Sequence, residues 1–368
     1  MRNYIALAIP LFLLFIGIEW LVARARRRQV YRLADAIGDL GCGVGQQVVV
    51  VFVQAALLAV YAAVYERYRL HAFAAGSLAP WLLAFVAVDF VYYWWHRLSH
   101  RVNLLWAAHV VHHQSEDYNL AVALRQAIGT TFTTLPFYLP LAVLGVPPIV
   151  YATMESFSTL YQFWIHTELV GKLGPLEWFL NTPSHHRVHH AVNPRYLDRN
   201  YGAIFIVWDR LFGTFAEERE APVFGTVKPL GSFNPLWAQV AYWGELWQKA
   251  RALPRWRDRL RLLFASPDWP PDPAHSAVTG PRPKYDRPLP ARTAAYVGLQ
   301  FAPVIAATFL MLLHSATAPT WTLGVAAALV GWTLLALGGI LDGRRWAPPL
   351  EATRLAAVAV ALVAWVRG

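Results

Sequence analysis

Apolar stretches long enough to cross a membrane constrain this chain more than any other feature. Residues 4–22 form a nearly uncharged run of nineteen residues, close to the roughly 20 that a helix needs to cross about 30 Å of hydrocarbon. Further apolar stretches lie at about 44–65, 78–95, 295–313, 319–341 and, in a shorter form, 355–366. The chain is therefore predicted to be an all-α integral membrane protein, built as a multi-span helical bundle.

Residues 128–165 predict a membrane hairpin. Its two apolar halves are separated at 145–148, where consecutive prolines remove backbone donors and stop a helix. The composition agrees, because 57% of the residues are hydrophobic and 15% are charged, against roughly 45–50% and about 25% in soluble domains. The lone cysteine, Cys42, excludes an internal disulfide, a Cys-ligated zinc site and an iron–sulfur cluster.

The basic residues favour one side of the membrane. Threading the predicted spans alternately places 24–32, 96–127, 166–290 and 344–345 on one side, whereas the loops on the other side hold only Arg67 and Arg69 as lysine or arginine. The positive-inside rule makes the first side cytoplasmic. The net charge of +10 is not concentrated in a Lys-rich arm, so anionic lipid headgroups, and not nucleic acid, are the expected counter-charge.

This topology divides the chain into three parts. Residues 1–95 hold the N-terminal spanning helices, 96–290 form a catalytic region that includes the hairpin 128–165 and a cytoplasmic cap at 166–265, and 291–368 hold the C-terminal spanning helices. Within the cap, 235–264 interleaves tryptophans with arginines. That pattern is typical of a helix lying in the headgroup plane, or of an amphipathic helix that packs on its own domain. The Pro-rich residues 266–290 predict a linker back to the membrane.

Ten of the 13 histidines lie in one region, at helical spacings. Residues spaced i, i+4 share a helix face, and two such imidazoles chelate one ion without bending the backbone. Ten ligands exceed the shell of one ion, so the spacing predicts a di-metal site. Neutral imidazole suits zinc, copper, iron and nickel, and the spacing alone leaves the metal open. The candidate ligands are His96, His100, His109, His112, His113, His166, His185, His186, His189 and His190.

Several polar residues near these histidines are candidates for a supporting role at the site. Asp89 lies seven residues before His96 on the same helix face, so it is a candidate to orient a ligating histidine or to act as a structural acid. Five residues follow the second histidine box and are candidates to bind substrate or cofactor, or to cap and orient the histidine helix. These are Glu116, Asp117, Tyr118, Asn119 and Arg125.

The boxes at 96–100, 109–113 and 185–190 resemble those of the fatty acid hydroxylase/sterol desaturase superfamily of membrane di-iron oxygenases. The stretches 106–126, 160–170 and 181–215 look similar to its glyceryl-ether-cleaving branch, the alkylglycerol monooxygenases. The resemblance implies two iron ions held by the histidines and O2 as co-substrate. It also implies hydroxylation of the ether-linked carbon of an alkylglycerol, giving a fatty aldehyde plus a glycerol product, with tetrahydrobiopterin or another external reductant as electron donor.

Two other functions stay open at this point. One is a fatty acid or sterol hydroxylase or desaturase of the same superfamily, served by an electron-donor protein. The other is a non-enzymatic metal carrier. A carrier needs its ligands near the bilayer midplane, whereas these histidines begin at the predicted membrane edge and continue into a polar region. That placement favours an enzyme acting on a membrane lipid.

Overall fold

The computed structural model of the protein describes residues 4–270, 278 and 280–367. These residues fold into helices and contain no strand, only two isolated bridges, so the predicted all-α class is confirmed. Part of the predicted linker, 271–277 and 279, lies outside the described residues. The N-terminal helices are α1 (Tyr4–Ala25), α2 (Leu33–Tyr68), α3 (Ala79–Arg101), α4 (Asn103–Ala107), α5 (Val110–His113), α6 (Leu120–Ala123), α7 (Thr130–Thr133), α8 (Leu135–Val143) and α9 (Pro148–Trp164). A 3-10 helix (Gly174–Trp178) follows, and then come α10 (Pro183–His189), α11 (Val207–Leu211), α12 (Pro235–Ala252), α13 (Trp256–Phe264), α14 (Ala291–His314), α15 (Thr320–Leu341) and α16 (Ala347–Arg367).

Four helices in the described part of the chain are long and apolar enough to cross a membrane, namely α1, α2, α14 and α15. They confirm an integral membrane protein. With 36 residues, α2 rises about 54 Å and so exceeds the roughly 30 Å of hydrocarbon. Its first turns carry the buried Asp35 and Asp39, so the helix begins earlier than the predicted stretch and its polar start extends beyond the apolar part.

The other predicted stretches also form helices, but these helices are too short or too polar to count as candidate membrane spans. In α3, Asp89 and the Tyr and Trp residues before His96 lower the hydropathy. The hairpin breaks after Val143 and resumes at Pro148, where sequence predicted the break. Its first arm consists of two short helices, and the nine residues of α8 rise only about 13 Å. The last helix, α16, is long but carries Glu351 and Arg354.

Helix α2 contributes to both of the largest apolar clusters. In its first half, Ile37 packs with Phe301 of α14 and Leu334 of α15. Near its end, Tyr61 packs with Val88 of α3 and with residues of α8 and α9. The short helices α4, α5, α6, α10 and α11 follow the ends of α3 and α9 in the chain. This arrangement places the histidine boxes where the helices of the second cluster end.

Candidate metal centre

The first histidine box lies at the end of a long helix, and the other two lie on short helices. His96 and His100 occupy the last two turns of α3, and that helix runs without a break through the predicted boundary at 95–96. His112 and His113 lie in α5, with His109 at its N-cap. Helix α10 begins at Pro183, a residue well suited to the first position of a helix.

The structure brings nine of the ten predicted histidines into two groups, each of which could hold a metal ion. In each group the ligand atoms all lie within 4.8 Å of one another. The five-histidine group consists of His96, His100, His109, His113 and His189, and the four-histidine group consists of His112, His166, His186 and His190. The groups adjoin, because the ring centroids of His113 and His190 are 4.4 Å apart.

Backbone carbonyls fix the tautomers of several rings. The Nδ1 of His112 lies 2.9 Å from the carbonyl oxygen of Arg125, and the Nδ1 of His166 lies 2.7 Å from that of Gln162. A carbonyl oxygen only accepts hydrogen bonds, so Nδ1 carries the proton in both rings and Nε2 carries a lone pair. The same holds for His96 and His189, whose Nδ1 atoms lie 2.8 Å from the Tyr201 oxygen and 2.9 Å from the Arg199 oxygen.

This arrangement fits a bound cation. The Nε2 atoms of His112 and His166 are 3.3 Å apart, and two lone pairs cannot form a hydrogen bond with each other. Two nitrogen ligands at about 2.1 Å from one ion and at right angles lie roughly 3.0 Å apart. The Nε2 atom of His189 is buried without a hydrogen-bond partner among the described residues. A metal ion in each group would satisfy these lone pairs.

Burial keeps the histidines neutral, as metal ligands must be. Desolvation lowers the pKa of His112 to about 4 and that of His189 to about 3. It also lowers the pKa of His113 and His190 well below the usual value, and neighbouring histidines add to the effect. At neutral pH these rings therefore present lone pairs and not positive charges.

His185 belongs to neither group. Its Nε2 lies 4.0 Å from the carboxylate of Glu177, and its ring contacts Phe215. Glu177 also accepts a hydrogen bond of 3.0 Å from the hydroxyl of Thr182, the N-cap residue of α10. His185 therefore lies beside the residues that start α10, and its ring contacts Glu177 and Phe215 and joins neither histidine group.

The loop after the third box supplies two of the carbonyls that orient ligands. Asp198 and Asn200 adopt left-handed backbone conformations, with φ of 59° and 57°, on either side of Arg199. Asn200 is held by bonds to the carbonyls of His185 and Ala216. Asp209 accepts hydrogen bonds of 2.8 Å from the backbone N–H groups of Tyr201 and Gly202. The residue pattern gives no signal for this role, because any residue type supplies a backbone carbonyl.

Asp89 forms no hydrogen bond with any histidine that the structure describes. It accepts hydrogen bonds from the backbone N–H of Ile204 at 2.7 Å and of Phe205 at 3.2 Å, and from the indole N–H of Trp208 at 2.8 Å. The carboxylate thus ties α3 to the segment that follows the loop at 198–202.

The five candidate residues after the second box make different contacts. Tyr118 is buried, donates to the carbonyl of Ile165 at 3.1 Å and stacks on Phe224. Arg125 forms a buried ion pair of 3.1 Å with Asp39 while its carbonyl orients His112. The other three tie the region to neighbouring segments: Glu116 to the Tyr285 amide, Asp117 to Arg32 and Lys284, and Asn119 to the Val30 carbonyl.

Comparison with known proteins identifies the family. The sequence model of the fatty acid hydroxylase family matches residues 81–214, which include all three boxes. The chain is 37% identical over 359 residues to the alkylglycerol monooxygenase of Xenopus tropicalis, covering 96% of this chain and 80% of that protein. The chain belongs to the alkylglycerol monooxygenase family. The protein named so in Homo sapiens is 37% identical over 360 residues, with 96% and 81% covered, and that in Danio rerio is 38% identical over 353 residues, with 94% and 78% covered.

Membership of this family makes the chain a lipid-modifying monooxygenase, and hence an oxidoreductase, as the sequence predicted. The similarity extends well beyond the boxes, since it covers nearly the whole chain. No solved structure matches this one.

Proposed function

We propose that this protein is a di-iron monooxygenase that hydroxylates the ether-linked carbon of an alkylglycerol in the membrane. One oxygen atom of O2 enters the C–H bond and the other leaves as water, at the cost of two electrons and two protons from outside. The hemiacetal formed collapses to a fatty aldehyde and a glycerol product. Tetrahydrobiopterin is the proposed electron donor. The observation that supports this most is the pair of adjoining all-histidine groups at the end of α3, in a chain related over nearly its whole length to alkylglycerol monooxygenases.

The nine grouped histidines are the proposed iron ligands, five for one ion and four for the other. Two iron ions held there would activate O2 and supply the oxidant for the C–H bond. His185 is proposed to steady α10 through Glu177 and not to bind metal. The candidates Asp89 and Arg125 are proposed to position ligands, since each holds a segment that contributes or adjoins a ligand-orienting carbonyl.

The protein's own groups orient the ligands and keep water away. Carbonyl acceptors at Gln162, Arg125, Tyr201 and Arg199 fix the four rings before any substrate arrives. Such outer contacts raise ligand basicity and hold geometry. The ring of Tyr118 lies 5.7 Å from that of His166 and 5.3 Å from that of His190, so it covers the four-histidine group on one side.

The metal centre is proposed to face the cytoplasm. The end of α1, the starts of α2 and α14 and the end of α15 lie close together, because Arg32 donates to the Tyr285 carbonyl and Arg287 to the Asp342 carbonyl, both at 2.6 Å. These ends carry Arg24, Arg26, Arg27, Arg28, Arg32, Arg292, Arg344 and Arg345. Positive charge clustered at one end of spanning helices marks the cytoplasmic side.

The test uses the purified full chain in lipid nanodiscs, loaded with iron. An alkylglycerol is supplied with and without reduced tetrahydrobiopterin, and fatty aldehyde, O2 uptake and iron content are measured. An acylglycerol of the same chain length is the matched control, because it lacks the ether-linked C–H bond. We expect O2-dependent aldehyde from the ether alone, stimulated by the pterin, and about two irons per chain, as a two-metal centre requires.

Other results reassign the protein. A hydroxylated acyl chain without aldehyde, under every electron donor, would identify a fatty acid or sterol hydroxylase. Aldehyde formation that ignores the pterin but responds to a reduced ferredoxin would keep the reaction and replace the donor. A single bound zinc with no O2-dependent turnover would favour the metal carrier.

A further inference from the structure

Helix α12 exposes one continuous aromatic and aliphatic face. Trp237, Val240, Trp243 and Trp247 follow one another at intervals of three or four residues, so they share a face. All four are exposed, and Trp247 keeps 66% of its surface accessible. The opposite face is buried, with Ala238 and Leu246 in the interior. An apolar face of this size is unusual on a surface that meets only water.

Helix α13 contacts α12 and adds a second exposed apolar strip, which is bordered by positive charge. Trp256, Leu260 and Phe264 are spaced by four residues and exposed, Phe264 at 68%. At 100° per residue, Arg257 and Arg261 border this apolar strip on one side, and Arg255 and Arg259 border it on the other. All four arginines are exposed. An apolar strip with a basic residue row on each edge is the pattern of a helix that lies in a membrane interface.

Helix α12 begins beside the ends of two spanning helices. Asn234, the N-cap of α12, contacts Gly338 so closely that a Cβ there would lie 2.7 Å from the asparagine. Gly338 is three residues before the end of α15. Pro235 approaches Gly41 of α2 in the same way. Helix α12 therefore starts beside the last turn of α15.

Helix α13 is also fixed to the metal region. The side-chain amide of Asn103 donates to the carbonyls of Leu262 at 2.9 Å and Ser266 at 3.1 Å, and the hydroxyl of Tyr242 donates to Asn103 at 2.6 Å. Asn103 is fully buried and lies three residues after His100. The exposed strip and the first histidine box are thus parts of one connected unit.

We infer that α12 and α13 dock on the anionic surface of the same bilayer that the spanning helices cross. The strip of Trp237, Val240, Trp243, Trp247, Trp256, Leu260 and Phe264 enters the boundary between headgroups and acyl chains. The arginines beside it contact lipid phosphates, and their aliphatic stems cover apolar surface. Because Asn103 joins α13 to the end of α3, this docking holds the first histidine box at the headgroup level, where a lipid substrate presents its polar end.

The experiment measures the depth of spin labels on the full chain in nanodiscs. Cys42 is the only cysteine, so a Cys42→Ala background accepts one introduced label. Leu260→Cys places the label on the strip. Arg219→Cys is the matched control, at an exposed side chain in the segment between α11 and α12. Nanodiscs contain phosphatidylcholine alone or with phosphatidylserine, and collision with O2 and with a water-soluble nickel complex reports depth.

We expect the Leu260 label to lie about 5–10 Å below the phosphates, shielded from nickel and accessible to O2, with the Arg219 label showing the opposite. The double substitution Arg257→Glu and Arg261→Glu should move the label at position 260 toward the water in phosphatidylserine nanodiscs. It should leave the depth of the label at position 219 unchanged. A Leu260 label that is as accessible to nickel as the control in both lipids would overturn the inference. So would shielding accompanied by label–label dipolar broadening, because a second copy of the chain would then cover the strip.

Discussion

The carboxylate of Glu19, on the first spanning helix, accepts a hydrogen bond from the hydroxyl of Thr167, the residue after His166. It also accepts hydrogen bonds from the hydroxyl of Tyr31 and from the backbone N–H of Leu120, the latter at 2.8 Å. Leu120 begins α6, which ends just before the stretch that carries Arg125. One buried acid in α1 therefore holds two segments that position ligands of the four-histidine group, so α1 is scaffold as well as anchor.

Replacing Glu19 with alanine should lower the stability of the fold around the four-histidine group more than replacing it with glutamine does. Glu19→Ala leaves the buried N–H of Leu120 without its acceptor, which costs about 1–3 kcal/mol. In Glu19→Gln the amide oxygen still accepts from Leu120 and Tyr31, while the amide N–H donates to the Thr167 hydroxyl, so the loss should stay near 1 kcal/mol. Thermal unfolding and iron retention of the two variants check this order. Equal behaviour of Glu19→Ala and wild type would contradict it.

Single histidine substitutions should separate ligands from their neighbours. His166→Ala removes a member of the four-histidine group, so bound iron should fall from about two to about one per chain as one two-metal partner is lost. His185→Ala should keep both ions, since His185 contacts Glu177 instead. His314→Ala, at the far end of α14, is the control. Metal analysis after gel filtration gives the answer, and loss of iron from His185→Ala would make it a ligand.

Acid should destabilise the metal-depleted protein. Burial lowers the pKa of His112 to about 4 and of His189 to about 3, whereas an unfolded histidine titrates near 6.5. Between these values the unfolded chain binds more protons, so stability falls as the pH decreases from about 6.5 to 4, by about 1.4 kcal/mol per pH unit for each such histidine. The melting temperature of chelator-treated protein from pH 7.5 to 5 measures this. His112→Gln should give a shallower slope, and a flat profile would refute the account.

The helical class and the pairing of histidines within each box could be predicted from the sequence, because both depend on short-range periodicity. The spacing of His96 and His100 places them on one face of α3, whatever the tertiary fold. The separation of the grouped histidines from His185 could not be read in this way. His185 is four residues before the grouped His189 and so shares its helix face, and only the tertiary packing places Glu177, and not a histidine group, beside it.

Long-range polar contacts were also hidden from sequence reasoning. Glu19 lay inside an apolar run, and its partners are 12 to 148 residues away. The carbonyls that orient His96 and His189 belong to Tyr201 and Arg199, and any residue type supplies a carbonyl. Their direction depends on the left-handed conformations of Asp198 and Asn200, which are held by contacts made elsewhere in the fold.

Two glycines of α2 offer a matched test of how closely that helix approaches the loop whose carbonyl orients His112. A Cβ on Gly43 would lie 2.1 Å from the carbonyl oxygen of Leu124, whereas one on Gly45 would meet nothing within 4 Å. Leu124 precedes Arg125, whose carbonyl orients His112 at 2.9 Å. Gly43→Ala should therefore displace the loop, lower the melting temperature and weaken iron retention. Gly45→Ala should stabilise α2 by about 0.5–1 kcal/mol, as alanine does over glycine inside a helix, and leave iron content unchanged. If both variants retain iron equally and unfold at the same temperature, α2 and the loop do not need this close contact.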